Sequence, residues 1–151
     1  VLLALHATSP FRSYPLRQTL TVALGDAHIG YVALGSLPHE YRATSFEGLV
    51  RVIQGASAVI AVDSGPLAIA LALGVPTLAL MGGTDDATVV RQFDRYVSQW
   101  GTKILRAYDK ACQPCSYQKS KGFGVDRCTR YAECLTEIEP GRIIDELRGM
   151  L

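Results

Sequence analysis

The sequence predicts an α/β fold, an open parallel sheet with helices on both faces. Two observations carry that prediction. Apolar runs at residues 1–6, 28–35 and 57–62, and again after Gly74-Val75-Pro76, lack clean polar alternation, as strands covered on both sides do. Each is followed by a stretch whose apolar residues recur at helical spacing, and that alternation builds a parallel sheet between helix layers.

The elements follow in order. "VLLALH" is a buried strand, and the polar loop "ATSPFRSY" leaves it. Pro15 suits the first turn of a helix carrying Leu16, Leu20 and Leu24 and ending near Gly25. "HIGYVALG" (28–35) is the second strand, and "SLPHEYRA" a short connection with a brief edge strand. "TSFE" (Thr44 to Glu47) matches a capping box, and its helix puts Phe46, Leu49, Val50 and Ile53 on one face before Gly55. "SAVIAV" (57–62) is the third strand. "DSGPLAIALALG" turns into a helix, and the run to Gly82-Gly83-Thr84 is the fourth strand. "ATVVRQFDRYV" is read as helical and "TKILRAY" (102–108) as a weaker strand. "EPGRIIDELRGML" closes the chain as a helix with Ile143, Ile144, Leu147 and Leu151. The expected organisation is a sheet domain over 1–108, with a cysteine-bearing loop and helix over 109–151 packed on it.

With 151 residues, 48% hydrophobic and 19% charged, the chain can close one core. A net charge of +1 gives no electrostatic case for nucleic acid or an anionic membrane as partner. Gly74 and Pro76 interrupt the longest apolar stretch, which argues against a transmembrane span. No secretory leader is visible, and the start at Val1 instead of Met leads us to expect a fragment.

Ligands of open parallel sheets bind outside the carboxyl ends of the strands. The polar turns Thr8-Ser9, Gly35-Ser36, Asp63-Ser64-Gly65 and Gly82-Gly83-Thr84 fall on that rim. At the third, Asp63 or Ser64 can cap the helix, Pro66 can occupy its first turn, and Gly65 admits close approach of a ligand. Free N–H groups and the helix dipole then favour an anion such as a diphosphate, with Arg12 as the cation. The competing reading is a well-capped turn and nothing more. Neither G-x-G-x-x-G nor a P-loop occurs.

"DSGPLAIALALGVPTLALMGGT" resembles the D-[ST]-G-x-x-H-x-A-x-A-x-G-x-P-[ST]-x-x-L-x-G-x-T signature of glycosyltransferase family 9, the heptosyltransferases. "LHATSPFRSYP" is similar to the family's H-A-T-T…K-x-W-P phosphate loop, and "SFEGLVRVIQGASAVIAVDSG" to the helix and strand before the signature. "CQPC…C…C…I-x-P" is like the tail of many members. The resemblance implies the Rossmann-like, donor-binding C-terminal half of a GT-B architecture. It further implies inverting transfer from an ADP-heptose-like donor, as in lipopolysaccharide core assembly. The implied location is cytoplasmic, at most peripheral at the inner membrane.

By that resemblance Thr8 and Ser9 hold donor phosphates, and Arg12 stabilises the leaving group where the family has lysine. Glu40 matches the ribose-holding acid, and Asp63 faces the sugar. Ser64, Gly65 and Pro66 face the diphosphate, and Gly83 and Thr84 line the same cleft. Ala68 stands at the family's histidine, and the 35–44 segment is shorter than usual. The catalytic base belongs to an N-terminal acceptor-binding domain that this sequence does not include. The chain alone is therefore expected to be inactive, and no metal or cofactor is expected in the transfer. A non-catalytic nucleotide- or sugar-binding module is the alternative.

Cys112, Cys115, Cys128 and Cys134 are spaced by two, twelve and five residues. The first pair has a common zinc-ligand spacing and the second is wide, so structural zinc, disulfides and free thiols all stay open. A basic zinc ribbon for nucleic acid is the weakest reading. His6, His28 and His39 are scattered and read as packing or surface residues.

Overall fold

A computed structural model describes residues 1–8, 12–35, 37–83, 101–106 and 133–151. Among the described residues five strands form one sheet in the order β2-β1-β3-β4-β5, with every pair parallel. They are β1 (Leu2–Ala4), β2 (Val32–Ala33), β3 (Val59–Val62), β4 (Thr77–Met81) and β5 (Lys103–Arg106). The helices are α1 (Arg17–Asp26), α2 (Phe46–Gln54), α3 (Gly65–Leu73), α4 (Glu133–Thr136) and α5 (Pro140–Arg148). The predicted helix over "ATVVRQFDRYV" lies outside the described residues.

Alternate strand residues point to opposite faces, and the core divides accordingly. Leu3, Leu5, Ile60, Val62, Leu78 and Leu80 pack under α1 and α5. Leu2, Ala4, Val59, Ala61, Ala79 and Met81 pack under α2 and α3. β3 and β4 are wholly buried, which is why their sequences show no alternation.

Local chemistry sets the helix ends. Ser45, not Thr44, is the N-cap of α2, and its hydroxyl accepts the Gly48 N–H at 3.0 Å. That shift by one residue puts Gly48 at the third helical position, so the expected Thr44–Glu47 box does not form. Phe46 then opens the helix and is 66% exposed, against the expectation that it faces the core. Ile53 is the residue of that face that is fully buried.

α1 runs one residue past Gly25 and closes through His28 and Ile29. The His28 N–H donates to Gly25 O and the Ile29 N–H to Leu24 O, with His28 at a φ of 57°. This is a Schellman finish with histidine where glycine is usual. It uses up residues 28–30, so β2 starts at Val32 and is shorter than the predicted 28–35 strand. An isolated parallel bridge from Leu34 to Tyr41 supplies the expected brief edge pairing.

The C-terminal helix sits on the same sheet. Lys103 Nζ donates to Glu146 Oε2 at 2.8 Å, and Arg142 Nη1 to Arg106 O at 2.8 Å. The Lys103 hydrogen bond, and secondarily its charge, hold the Glu146 carboxyl below its ordinary value. Tyr14 is buried beneath α1 and α5 and donates its hydroxyl to Ile138 O. No helix among the described residues is long and apolar enough to cross a membrane.

Candidate functional site

The strand order fixes where a ligand can enter. From β1 the chain moves outward to β2, then returns to place β3 on the other side of β1. The loops after β1 and β3 therefore diverge and leave a crevice at the switch point. Residues 7, 8 and 12–14 come from one loop and residues 63–66 from the other.

The first loop is tied back on itself. Ser13 Oγ accepts the Ala7 N–H at 3.1 Å and donates to Ala7 O at 3.4 Å, while the Tyr14 N–H donates to Leu5 O. Arg12 is thereby held over the crevice. Its Nη1 donates to Asp63 Oδ2 at 3.3 Å, and its Nε is buried with no hydrogen-bond partner among the described residues. The two side chains are 33% and 17% exposed, a part-buried pair that water and ligand can both reach.

Asp63 ends the turn out of β3, and α3 starts two residues later. Ser64 holds the N-cap position with extended backbone, but its hydroxyl donates back to Val62 O at 2.9 Å, so no side chain caps α3. The first-turn N–H groups are the orphan donors of any helix start, and Pro66 removes one of them by its ring. A cleft of about 300 Å³ lies there, lined by His6, Ala7, Thr8, Arg12, Asp63 and the Ser64-Gly65-Pro66 turn. The arrangement offers an anion one guanidinium, a positive helix end and backbone donors.

Glu40 lies in an adjoining cavity of about 360 Å³ that shares His6 with the cleft. Its side chain is only 7% exposed and its Oε2 accepts the Leu37 N–H at 3.0 Å. Arg17 Nη1 lies 3.6 Å and His6 Nε2 3.9 Å from Oε1, and Arg17 also hydrogen-bonds His6. Gly35 makes room for this carboxylate, since a Cβ there would overlap Glu40 Oε2.

The structure thus brings Thr8, Arg12, Asp63, Ser64, Gly65 and Pro66 together, with Glu40 next door. Gly83 is buried at the end of β4 and does not line the cleft. Gly82, at the fourth rim turn, is roofed by α4, because a Cβ there would meet Leu135 Cγ at 3.0 Å and Cys134 Sγ at 3.3 Å. Ser9, Thr84, Cys112, Cys115 and Cys128 lie outside the described residues; Cys134 is buried on α4. Sequence reasoning missed His6 as a shared wall, and missed Arg17 and His39 in the second cavity. Arg17 had one usable signal, its place on the first helical turn after a rim loop.

Fold and site together define a doubly wound α/β domain with a charged cleft at its switch point. The profile of glycosyltransferase family 9 (heptosyltransferase) matches residues 42–121, over half of the chain, and the chain belongs to that family. Lipopolysaccharide heptosyltransferase 1 of Pseudomonas aeruginosa is 32% identical over 117 residues, covering 71% of this chain and 30% of that protein. The E. coli heptosyltransferase WaaC with ADP superposes with a TM-score of 0.66 at 17% identity, over 99% of this chain and 43% of that one. The dodecameric iron-containing heptosyltransferase TibC of enterotoxigenic E. coli, in complex with ADP-D-β-D-heptose, gives a TM-score of 0.70 at 14% identity, over 99% and 44%. The chain therefore spans less than half the length of each of these relatives.

Proposed function

We propose that this chain is the donor-binding domain of an inverting glycosyltransferase that uses an ADP-heptose-like nucleotide sugar. The observation that carries the reading is the Arg12–Asp63 pair across the switch-point cleft, beside an α3 terminus without a side-chain cap. The solved relatives named above contain ADP or ADP-D-β-D-heptose, which favours a diphosphate there.

In this reading Arg12, Thr8, Ser9 and the first turn of α3 hold the diphosphate. Asp63 accepts hydrogen bonds from the sugar, with Thr84 beyond it. Glu40 has acceptor positions left after binding Leu37 and Arg17, because a carboxylate offers about four lone-pair sites, and these take the ribose hydroxyls. As the anomeric bond breaks, negative charge grows on the departing diphosphate, and the guanidinium and helix end stabilise it without rearranging. The acceptor hydroxyl is deprotonated by a carboxylate of a second domain, consistent with the relatives' greater length. Metal takes no part in that step; a structural zinc on Cys112, Cys115, Cys128 and Cys134, with disulfides and free thiols as the alternatives, is a separate matter of the tail.

One observation favours a second reading, a binding module without turnover. Ala68 stands on α3 where the family signature has histidine. Both readings require nucleotide binding. A thermal-shift titration with ADP, UDP, GDP and their sugar conjugates, on wild type and Arg12→Ala, tests that requirement. An adenine-selective shift lost in the variant supports the proposal, and no shift at millimolar ligand rejects it. A ligand at about 100 times its Kd stabilises the fold by about 2.7 kcal/mol, well within detection.

A further inference from the structure

We propose that Arg17, anchored by His6, is a positioning residue for Glu40: it lends the carboxylate a counter-charge and leaves one oxygen open to a ribose diol. The inference rests on the reading of Glu40 as the group that holds the ribose of a nucleotide donor.

A guanidinium beside a carboxylate ordinarily docks on it as a two-pronged fork. Arg17 does not. Its Nη1 hydrogen-bonds His6 Nε2 and stays 3.6 Å from Glu40 Oε1, beyond hydrogen-bond length. The other carboxylate oxygen is engaged, since Oε2 accepts the Leu37 N–H at 3.0 Å. His6 Nε2 lies 3.9 Å from the same Oε1. Because arginine can only donate, that ring nitrogen is an acceptor and has no proton to offer the carboxylate. Oε1 is thus flanked by a cation and an imidazole edge and receives a hydrogen bond from neither.

Both parts of that arrangement serve a ligand. The Glu40 side chain is mostly buried, and a carboxylate in such a place needs a cation close by. A cation docked on both oxygens would, however, fill the lone pairs that hydroxyl groups require. Arg17 is the first residue of α1, so its backbone is fixed by the helix, and the bond to His6 holds its side chain at the stand-off. A vicinal diol brings two O–H donors, and the free lone pairs of Oε1 can accept them. His6 lines both the Glu40 cavity and the cleft of Arg12 and Asp63, so a ribose on Oε1 lies beside the space for its diphosphate. Without His6 the guanidinium is free to close on the carboxylate. Without Arg17 the carboxylate loses its counter-charge.

The test is calorimetric titration of this chain with ADP and with 2′,3′-dideoxy-ADP, on wild type, Arg17→Met, His6→Ala, His6→Gln and Glu40→Ala. Circular dichroism establishes that each variant is folded. Wild type should prefer ADP by about tenfold or more, the size of a hydrogen bond to a charged group, and Glu40→Ala should abolish that preference. Arg17→Met and His6→Ala should each narrow it to within about threefold, with little change in affinity for dideoxy-ADP. His6→Gln, whose amide oxygen can accept from Arg17, should restore it. A purely structural role predicts equal losses for both nucleotides. That result, or an unchanged preference in either folded variant, overturns the inference while leaving the reading of Glu40 intact. If wild type shows no preference, or Glu40→Ala keeps it, the reading of Glu40 fails first and the inference with it.

Discussion

Arg12 and Asp63 meet across the point at which the strand order reverses, 51 residues apart in sequence and 3.3 Å apart in space. Neither side chain is fully buried, and pairs in such settings contribute little to folding, about 0–1 kcal/mol. A double-mutant cycle with Arg12→Ala and Asp63→Ala should therefore give a coupling energy below about 1 kcal/mol in denaturant unfolding. A larger coupling would assign the pair to structure instead of to ligand.

Tyr14 should make the fold sensitive to alkali. Burial pushes its hydroxyl well above the ordinary tyrosine value, and the charge of Glu139 adds to the shift. The unfolded chain releases this proton near pH 10, whereas the folded chain holds it. Stability from the neutral hydroxyl is thus fully present below about pH 10 and is lost as pH climbs towards the folded value. Tyr14→Phe should cost about 1–2 kcal/mol at pH 7 by removing the donor to Ile138 O. Its unfolding midpoint should fall less steeply above pH 10 than that of wild type.

His28 occupies a left-handed backbone conformation at the end of α1. That region costs an L-residue about 1–2 kcal/mol, partly offset for glycine by its greater unfolded-state freedom. His28→Gly should raise stability by about 0.5 kcal/mol, read as a higher urea midpoint at unchanged m-value.

Gly35→Ala should act through Glu40. Its new methyl group would overlap the carboxylate, forcing it away from Leu37 and Arg17 at a cost of about 1–3 kcal/mol. In an Glu40→Ala background the same substitution should be nearly neutral, since the clashing group is gone. Unfolding titrations of the four proteins check this.

Much of this was legible in the sequence. The unbroken apolar runs of β3 and β4 and the Gly74 and Pro76 breaks marked buried parallel strands, because burial on both faces removes alternation. The D-S-G-P corner marked the start of α3 for a similarly local reason. What stayed hidden depends on contacts far apart in the chain. Strand order decides that the loops bearing Arg12 and Asp63 face each other, and no local pattern encodes it. The roof of α4 over Gly82, and the Arg17–Glu40–His6 cluster, are tertiary in the same way. Two errors were local. Ser45 and Thr44 are both good caps, so the start of α2 was ambiguous by one residue, and that residue turned Phe46 outward. His28 took a position that sequence rules reserve for glycine, which hid the true start of β2.

The central claim is that a nucleotide diphosphate binds at the switch-point cleft, and amide mapping addresses it most directly. In a proton–nitrogen correlation titration with ADP-D-β-D-heptose, the largest shifts should fall on Ala7, Thr8, Arg12, Gly65 and Leu67, the two loop tips that frame the cleft. Shifts confined to other surfaces, such as the β2 edge around Val32 and Tyr41, would contradict the account.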